Sequence, residues 1–302
     1  MDAPRIGFVG LGTMGTPLAT HLIEAGHELA VTDTNPQALR RFEAMGARIK
    51  ATPAELAASC DVIFMSLPTP DVVEAVVCGP DGITKGDGQP IVVDLSTTGS
   101  QVEEAIAEAL AATGKTLIDC PISGGAEGAR AGTLALMAAG PAAALDQVEP
   151  LMAPWGTCYR VGDRAGQGQI LKVINNLMST AALTITAEAM VLGAKAGLNP
   201  DLMLQAINAS SGRNTASTSK FPKHVLTRSF DFGMPIRLSA KDARLCLEEA
   251  DRHGVPMFVG TAVKQMLTLT RDHLGGDVDM TSVVRVIEEW AGVEVRGAEA
   301  AS

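Results

Sequence analysis

Aromatic side chains are scarce. Seven Phe, two Trp and one Tyr make up only 3% of the 302 residues, so the apolar 46% must build its core mainly from Ala, Val, Leu, Ile and Met. Basic residues are also in deficit. A formal net charge of −10, with no long Lys/Arg run and no interleaving of basic with aromatic residues, argues against a nucleic-acid partner, whose phosphates call for clustered cations. Cysteines are few and unpatterned. Cys60, Cys78, Cys120, Cys158 and Cys246 are odd in number and contain no CxxC pair, so neither a zinc site nor a disulfide framework is indicated. They predict buried thiols in a reducing compartment. The five histidines (His21, His27, His224, His253, His273) show no HExxH spacing, so no metal site is expected, and there is no GxSxG nucleophile elbow. The most apolar long segment, 169–196, carries Lys172, Asn175, Asn176 and Glu188, too many polar groups for a membrane span. The opening "MDAPRIGFVGLG" lacks the basic and apolar regions of a signal peptide. A soluble, cytoplasmic protein is expected.

The length suits two domains. In the first half, short apolar runs ("RIGFVG", "ELAVTD", "DVIFMSLP", "PIVVDLS", "KTLIDCP", "GTLALMAAG", "GTCYRVG") alternate with helix-length segments, among them Met14–Glu24 and one opening near Pro36. That alternation predicts an α/β domain over 1–165, a Rossmann-type, doubly wound parallel sheet. The pattern changes near "GDRAGQG", 162–168. From Gln169 to Leu192 there is neither Gly nor Pro, which predicts a long interdomain helix of roughly 36 Å. Further helices are expected at 200–208, 240–253, 257–272 and 280–291, making 166–302 an all-α C-terminal domain. The tail "RGAEAAS" is expected to fray.

"GFVGLGTMG" sets Gly10, Gly12 and Gly15 directly after the first strand. The three glycines suit a tight turn, close backbone approach to a pyrophosphate, and close strand–helix packing, with the helix N-terminus facing the phosphates. The loop Gly10, Leu11, Gly12, Thr13, Met14, Gly15 is therefore a candidate dinucleotide site. Asp33 ends the second strand, where a carboxylate can accept from ribose hydroxyls, and Thr34 and Asn35 follow without an arginine. NAD is expected over NADP, although Arg40 or Arg41 could still reach a 2′-phosphate. Leu67 and Pro68, and the Ser96, Thr97, Thr98 cluster, lie on other strand-end loops; on position alone the cluster fits helix capping and ligand contact equally.

In "DCPISGGAEGARAGTL", Ser123, Gly124 and Gly125 can offer a hydroxyl and successive N–H groups to a carboxylate, or form only a flexible loop. In "GQGQILKVINN", Lys172 and Asn176 stand four apart, on one helix face, with Ser179 near it. A surface lysine could snorkel there. Beside an interdomain cleft, partial desolvation would instead lower its pKa from about 10.4 towards neutrality, as acid/base chemistry needs.

Four segments in register, "GFVGLGTMGTPLATHLIEAGH", "DCPISGGAEGARAGTL", "GQGQILKVINN" and "KDARLCLEEA", resemble the β-hydroxyacid dehydrogenases, the family of 3-hydroxyisobutyrate dehydrogenase and tartronate semialdehyde reductase. The resemblance spans nearly the whole chain. It implies reversible, nicotinamide-dependent oxidation of a 3-hydroxy acid to its semialdehyde. It implies Lys172 as the catalytic lysine and Asn176 as the group that orients it and meets substrate. Ser123, Gly124 and Gly125 would hold the carboxylate. Leu67, Pro68 and Thr97 would line the cofactor, and Lys241 would close on it, positioned by Asp242. A homodimer or homotetramer assembled through the helical domain is implied as well.

One departure bears on substrate. Many relatives carry an aromatic residue where "FDFGMPIRLSAKD" has Met234, and Arg237 follows it. Arg237 is either a solvated charge at a helix start or a second anion-binding group for a larger, dicarboxylic hydroxy acid such as 2-(hydroxymethyl)glutarate. Ser211 and Arg213 are further candidates. Imine reductases share the architecture but usually replace the lysine, and non-catalytic dinucleotide modules lose it.

Overall fold

The strands of the first half follow from their composition: β1 (Ile6–Val9), β2 (Leu29–Thr32) and β4 (Val62–Met65) are buried at every position, as strands covered on both faces must be. The computed structural model describes residues 3–298. Between and after these strands run α1 (Gly15–Glu24), α2 (Pro36–Ala44), β3 (Arg48–Ile49), α3 (Pro53–Ser59), α4 (Pro70–Cys78), β5 (Ile91–Asp94) and α5 (Ser100–Ala111). Then come β6 (Thr116–Asp119), β7 (Ile122–Ser123), α6 (Gly125–Ala131), β8 (Leu134–Ala139), α7 (Ala142–Met152) and β9 (Gly156–Gly162). Three helices start alike, with proline in the first turn and a capping side chain before it: Asn35, Thr52 and Thr69 accept from the N–H groups of Gln37, Glu55 and Val72.

The sheet order is β3-β2-β1-β4-β5-β6-β8-β7, with β9 beside β8. The first six strands are all parallel and follow the Rossmann order, whose direction reverses between β1 and β4. Alternate residues feed opposite faces. Phe8 and Phe64 join one core, and Val9, Ile63 and Met65 the other. Three of the few aromatics meet there: the Trp155 ring stands edge-on to Phe64 at 4.8 Å, near Phe8, and its Nε1–H donates to Leu18 O on α1 at 3.0 Å.

The expected parallel sheet holds through β6 and gives way only at its far edge, where β8 runs antiparallel to β6 and β7. The link from Ser123 to Leu134 holds only the seven-residue α6 and its flanking residues, too little for a parallel crossover. Cys78 is exposed and Cys158 half-buried, so only Cys60, Cys120 and Cys246 meet the expectation of buried thiols.

The chain divides into two compact units within the long helix α8 (Gln167–Lys195), between Lys172 and Val173. By length and composition alone α8 could cross a membrane, but half of its most apolar window is buried inside the protein, as in a core helix. The second unit continues through α9 (Pro200–Asn208), a π-helical segment (Ala216–Val225), α10 (Ile236–Arg252), α11 (Phe258–Leu274) and α12 (Val283–Ala291). Its core gathers Val173, Leu177, Leu183, Phe221, Ile236 and Val283 among others. Contrary to the expected fraying of 296–302, the N–H groups of Gly297 and Ala298 reach Leu226 O and Asp201, just after Val295 N–H reaches Glu288. The rest of the tail, 299–302, lies outside the described residues.

Candidate active site

Beyond β1 the chain turns at Gly10 with φ +90°; a Cβ there would lie 2.4 Å from Ser66 O. At Gly15 a Cβ would lie 1.8 Å from Gly10 O, so this glycine lets α1 pack against the turn. Gly12 differs: its Cβ would meet nothing within 4 Å. Protein packing therefore requires glycine at 10 and 15, while at 12 it leaves room for a ligand's backbone approach. Met14 makes no capping hydrogen bond at the start of α1 and no acid sits in the first turn, so the helix end keeps its positive pole for an anion. Asp33 holds the loop: its carboxylate accepts from Leu11 N–H and from Asn35 N–H. These residues fit a dinucleotide, with Gly12, Thr13 and the α1 N-terminus against phosphate and Asp33 beside the ribose.

The neighbouring loops sort themselves by burial. Ser96 Oγ accepts from Leu67 N–H at 2.9 Å, joining the loop of Leu67 and Pro68 to that of Thr97. Thr98 donates its hydroxyl to Glu103 at 2.6 Å and its N–H to Gln169 Oε1 at 3.0 Å. Ser96 and Thr98 thus hold the loops together, and Thr97 is half-buried within an otherwise buried run.

Beneath these loops lies a cluster that sequence reading missed. Asp94, Glu103, Asp119 and Gln169 are fully buried. The Gln169 amide donates to Asp119 Oδ1 (2.9 Å) and Ser96 O (3.1 Å), and Asp119 Oδ2 accepts from the backbone of Gly166 (2.9 Å) and Gln169 (3.1 Å). Burial pushes Asp119 up to about 7, against the pull of the Gln169 donors. Burial, with Asp94 and Asp119 nearby, holds Glu103 well above the usual carboxylate range, and burial raises Asp94 against hydrogen bonds from Glu103 and Ser96. Asp94 Oδ2 and Glu103 Oε2 are buried without a hydrogen-bond partner, so a proton on Glu103 limits the charge held there. Two strand-ending aspartates and a glutamine three residues before Lys172 were the available signal. The cluster pins the first turn of α8 to the strand-end loops.

Lys172 is only 8% exposed, three residues beyond Gln169 on α8. One turn further, Asn176 donates from Nδ2 to Asp242 Oδ2 at 2.7 Å and accepts from Asn175 at 3.2 Å, so its amide is fixed. Lys241 Nζ lies 3.3 Å from Asp242 Oδ1. Asp242 therefore sits where it can position Lys241 and, unforeseen from sequence, Asn176. The same face of α8 brings Ser179, whose Oγ accepts from the buried Lys220 at 3.0 Å. Ser123 and Gly124–Gly125 lead from β7 into α6, both glycines at positive φ (136° and 65°). The remaining candidates have other surroundings. Arg237 is about half exposed and bonded to Asp277 at 2.9 Å, Ser211 and Arg213 are exposed, and Met234 is held by its N–H to Asp279.

The chain is similar to known proteins over nearly all of its length. Residues 5–162 match the NAD binding domain of 6-phosphogluconate dehydrogenase, and residues 166–287 match the NAD-binding region of NADP-dependent 3-hydroxyisobutyrate dehydrogenase. The chain is 34% identical to 2-(hydroxymethyl)glutarate dehydrogenase of Eubacterium barkeri over 98% of both chains. It is also 34% identical to 3-hydroxyisobutyrate dehydrogenase of Pseudomonas aeruginosa, over 87% of this chain and 91% of that one. The structure of Mycobacterium tuberculosis 3-hydroxyisobutyrate dehydrogenase with L-serine superposes with a TM-score of 0.85 at 27% identity, covering 95% and 99% of the two chains. With a Rossmann-ordered sheet, an open Gly12 and the Lys172–Asn176 pair on α8, the chain belongs to the β-hydroxyacid dehydrogenase family and is an NAD(P)-dependent oxidoreductase of hydroxy acids.

Proposed function

We propose that the protein oxidises a small 3-hydroxy acid to its semialdehyde, reversibly and with a preference for NAD, and that Lys172 is its general acid/base. One observation carries this reading: Lys172 is buried on α8, one turn from an asparagine amide already locked by Asp242. The bound nicotinamide supplies the hydride acceptor. Lys172, neutral, takes the hydroxyl proton from substrate, and in reverse its ammonium returns a proton to the carbonyl oxygen. Asn176 has one amide hydrogen left to orient the substrate oxygen. Ser123, Gly124 and Gly125 hold the carboxylate, Leu67, Pro68 and Thr97 line the cofactor, and Lys241 closes on it. The NAD preference rests on Asp33, whose carboxylate would repel a 2′-phosphate, and on Thr34 and Asn35 in place of an arginine.

The protein acts in the cytoplasm, a reading supported by five cysteines that are all free. It assembles as a homodimer or homotetramer through the helical part. An exposed heptad stripe on α8, Leu171, Met178, Ile185 and Leu192, supports that assembly.

The test is NADH formation, compared with NADPH, across 3-hydroxyisobutyrate, glycerate, serine and 2-(hydroxymethyl)glutarate. On the best substrate, Lys172→Ala should lower kcat by at least ~10²-fold, and Lys172→Arg almost as much, because a guanidinium does not deprotonate. The rise of the oxidation rate with pH should disappear in both. Near-wild-type kcat in the alanine variant would remove Lys172 from the chemistry.

A further inference from the structure

Lys220 has no part in the reading above. It lies in the π-helical segment with 4% of its surface exposed. Its Nζ donates to Ser179 Oγ at 3.0 Å and stands 5.0 Å from the centroid of the Phe232 ring. Among the described residues, no carboxylate forms an ion pair with it, and burial alone moves its pKa, downward. An ammonium carries three donors, and here one hydroxyl takes one of them. Buried charges ordinarily find an opposite charge. Lys115, also buried, lies against the carbonyl and hydroxyl of Thr113 and feels the charge of Asp87. Lys220 has no such compensation.

Its position gives the missing anion a role. Ser179 stands three residues after Asn176 and seven after Lys172, on one face of α8. Two turns separate Lys172 from Ser179, about 10 Å along the axis. A ligand whose two polar ends are joined by a few methylenes could reach along this face. Phe232, partly exposed, offers an apolar wall beside Lys220. Arg237, the more conspicuous cation in the sequence, already has Asp277 and faces solvent.

We propose that Lys220 and Ser179 form a subsite for a distal carboxylate, so that the preferred substrate is a dicarboxylic 3-hydroxy acid whose second carboxylate is joined to the head group by a short aliphatic chain. The proposal rests on the assignment of Lys172 to the hydroxyl end. The ammonium and the hydroxyl each donate to the distal carboxylate, and the ligand charge neutralises the buried cation.

The experiment compares kcat/KM for 2-(hydroxymethyl)glutarate and for 3-hydroxyisobutyrate, which lacks the second carboxylate. Lys220→Met keeps the length of the side chain and removes its charge. The ratio of the two kcat/KM values should fall by about 10- to 150-fold, the range for one lost charge-assisted hydrogen bond, and Lys220→Arg should recover part of it. Ser179→Ala should shift the ratio in the same direction by less, and it decides the matter should Lys220→Met not fold. An unchanged ratio, or equal losses on both substrates, overturns the subsite. Oxidation of neither substrate by the wild type would instead count against the Lys172 assignment. Calorimetric titration with glutarate then settles the subsite separately: binding lost in Lys220→Met sustains it, while binding that persists in the variant, or is absent from the wild type, overturns it.

Discussion

In the nucleotide-binding unit, Asp94, Glu103 and Asp119 are buried around Gln169; in the helical unit, Lys220 is buried against a serine and an aromatic ring. Both clusters place charge away from water, where it must be neutralised or paired. The first does so internally. Burial favours a protonated Glu103 beside Asp94, and the donors of Gln169 and Gly166 close on Asp119. The second stays open, with ammonium donors left over. A closed cluster serves as framework, and an open one is where a ligand can complete the structure.

The largest effect should come from breaking the closed cluster at its centre. Gln169→Leu removes both amide donors and the acceptor of the Thr98 and Gly99 N–H groups, leaving several buried groups unmatched. At about 1–3 kcal/mol for each unsatisfied group, urea unfolding should show a loss of about 3–5 kcal/mol. A loss below about 1 kcal/mol would mean that water or rearrangement replaces the glutamine, and the contrast with Lys220 would lapse.

A smaller effect should follow pH. Asp119, raised from an ordinary 3.8 to about 7, and Glu103, raised well above its ordinary value, keep protons in the folded state that the unfolded chain has already released. The cluster's stabilising contribution is therefore fully present below about pH 4 and is lost as pH rises through about 7, by about 1.4 kcal/mol per pH unit for each proton involved. Glu103→Gln preserves a neutral donor to Asp94 and should flatten this dependence in pH-resolved thermal unfolding. An unchanged slope would assign the protons elsewhere.

The smallest effect should be at Arg237. Its ion pair with Asp277 is solvent-exposed, and Arg237→Ala should cost less than about 1 kcal/mol in the same unfolding assay and leave the substrate ratio unaltered. A large shift in that ratio would move the distal subsite from Lys220 to Arg237.

Much of the framework was legible because it is local. Buried strands read as apolar runs, the glycine loop sits between a strand and a helix, and Lys172 and Asn176 recur at helical spacing. What escaped is tertiary. Asp94, Glu103, Asp119 and Gln169 are each unremarkable in their own segments, and only the sheet order brings them together. The sense of β8 escaped because a buried strand has the same composition whichever way it runs. Lys220 lies in the π-helical segment, outside every helix expected from the sequence, and Pro222 within that segment is unfavourable to a regular α-helix. Arg237 drew attention by its charge, and its acidic partner lies 40 residues further on.

The shortage of aromatics has an optical consequence. Trp155 is fully buried against Phe64 and α1, and Trp290, on α12, is 63% exposed. Each compact unit thus carries one indole, and the two report from opposite environments. Emission from Trp155 should lie to the blue and move red when the sheet opens, while Trp290, already in water, contributes a nearly constant background. Intrinsic fluorescence of the unmodified protein should therefore follow melting of the Rossmann half almost alone, and its comparison with far-ultraviolet circular dichroism, dominated by helix, would reveal whether the two halves unfold together.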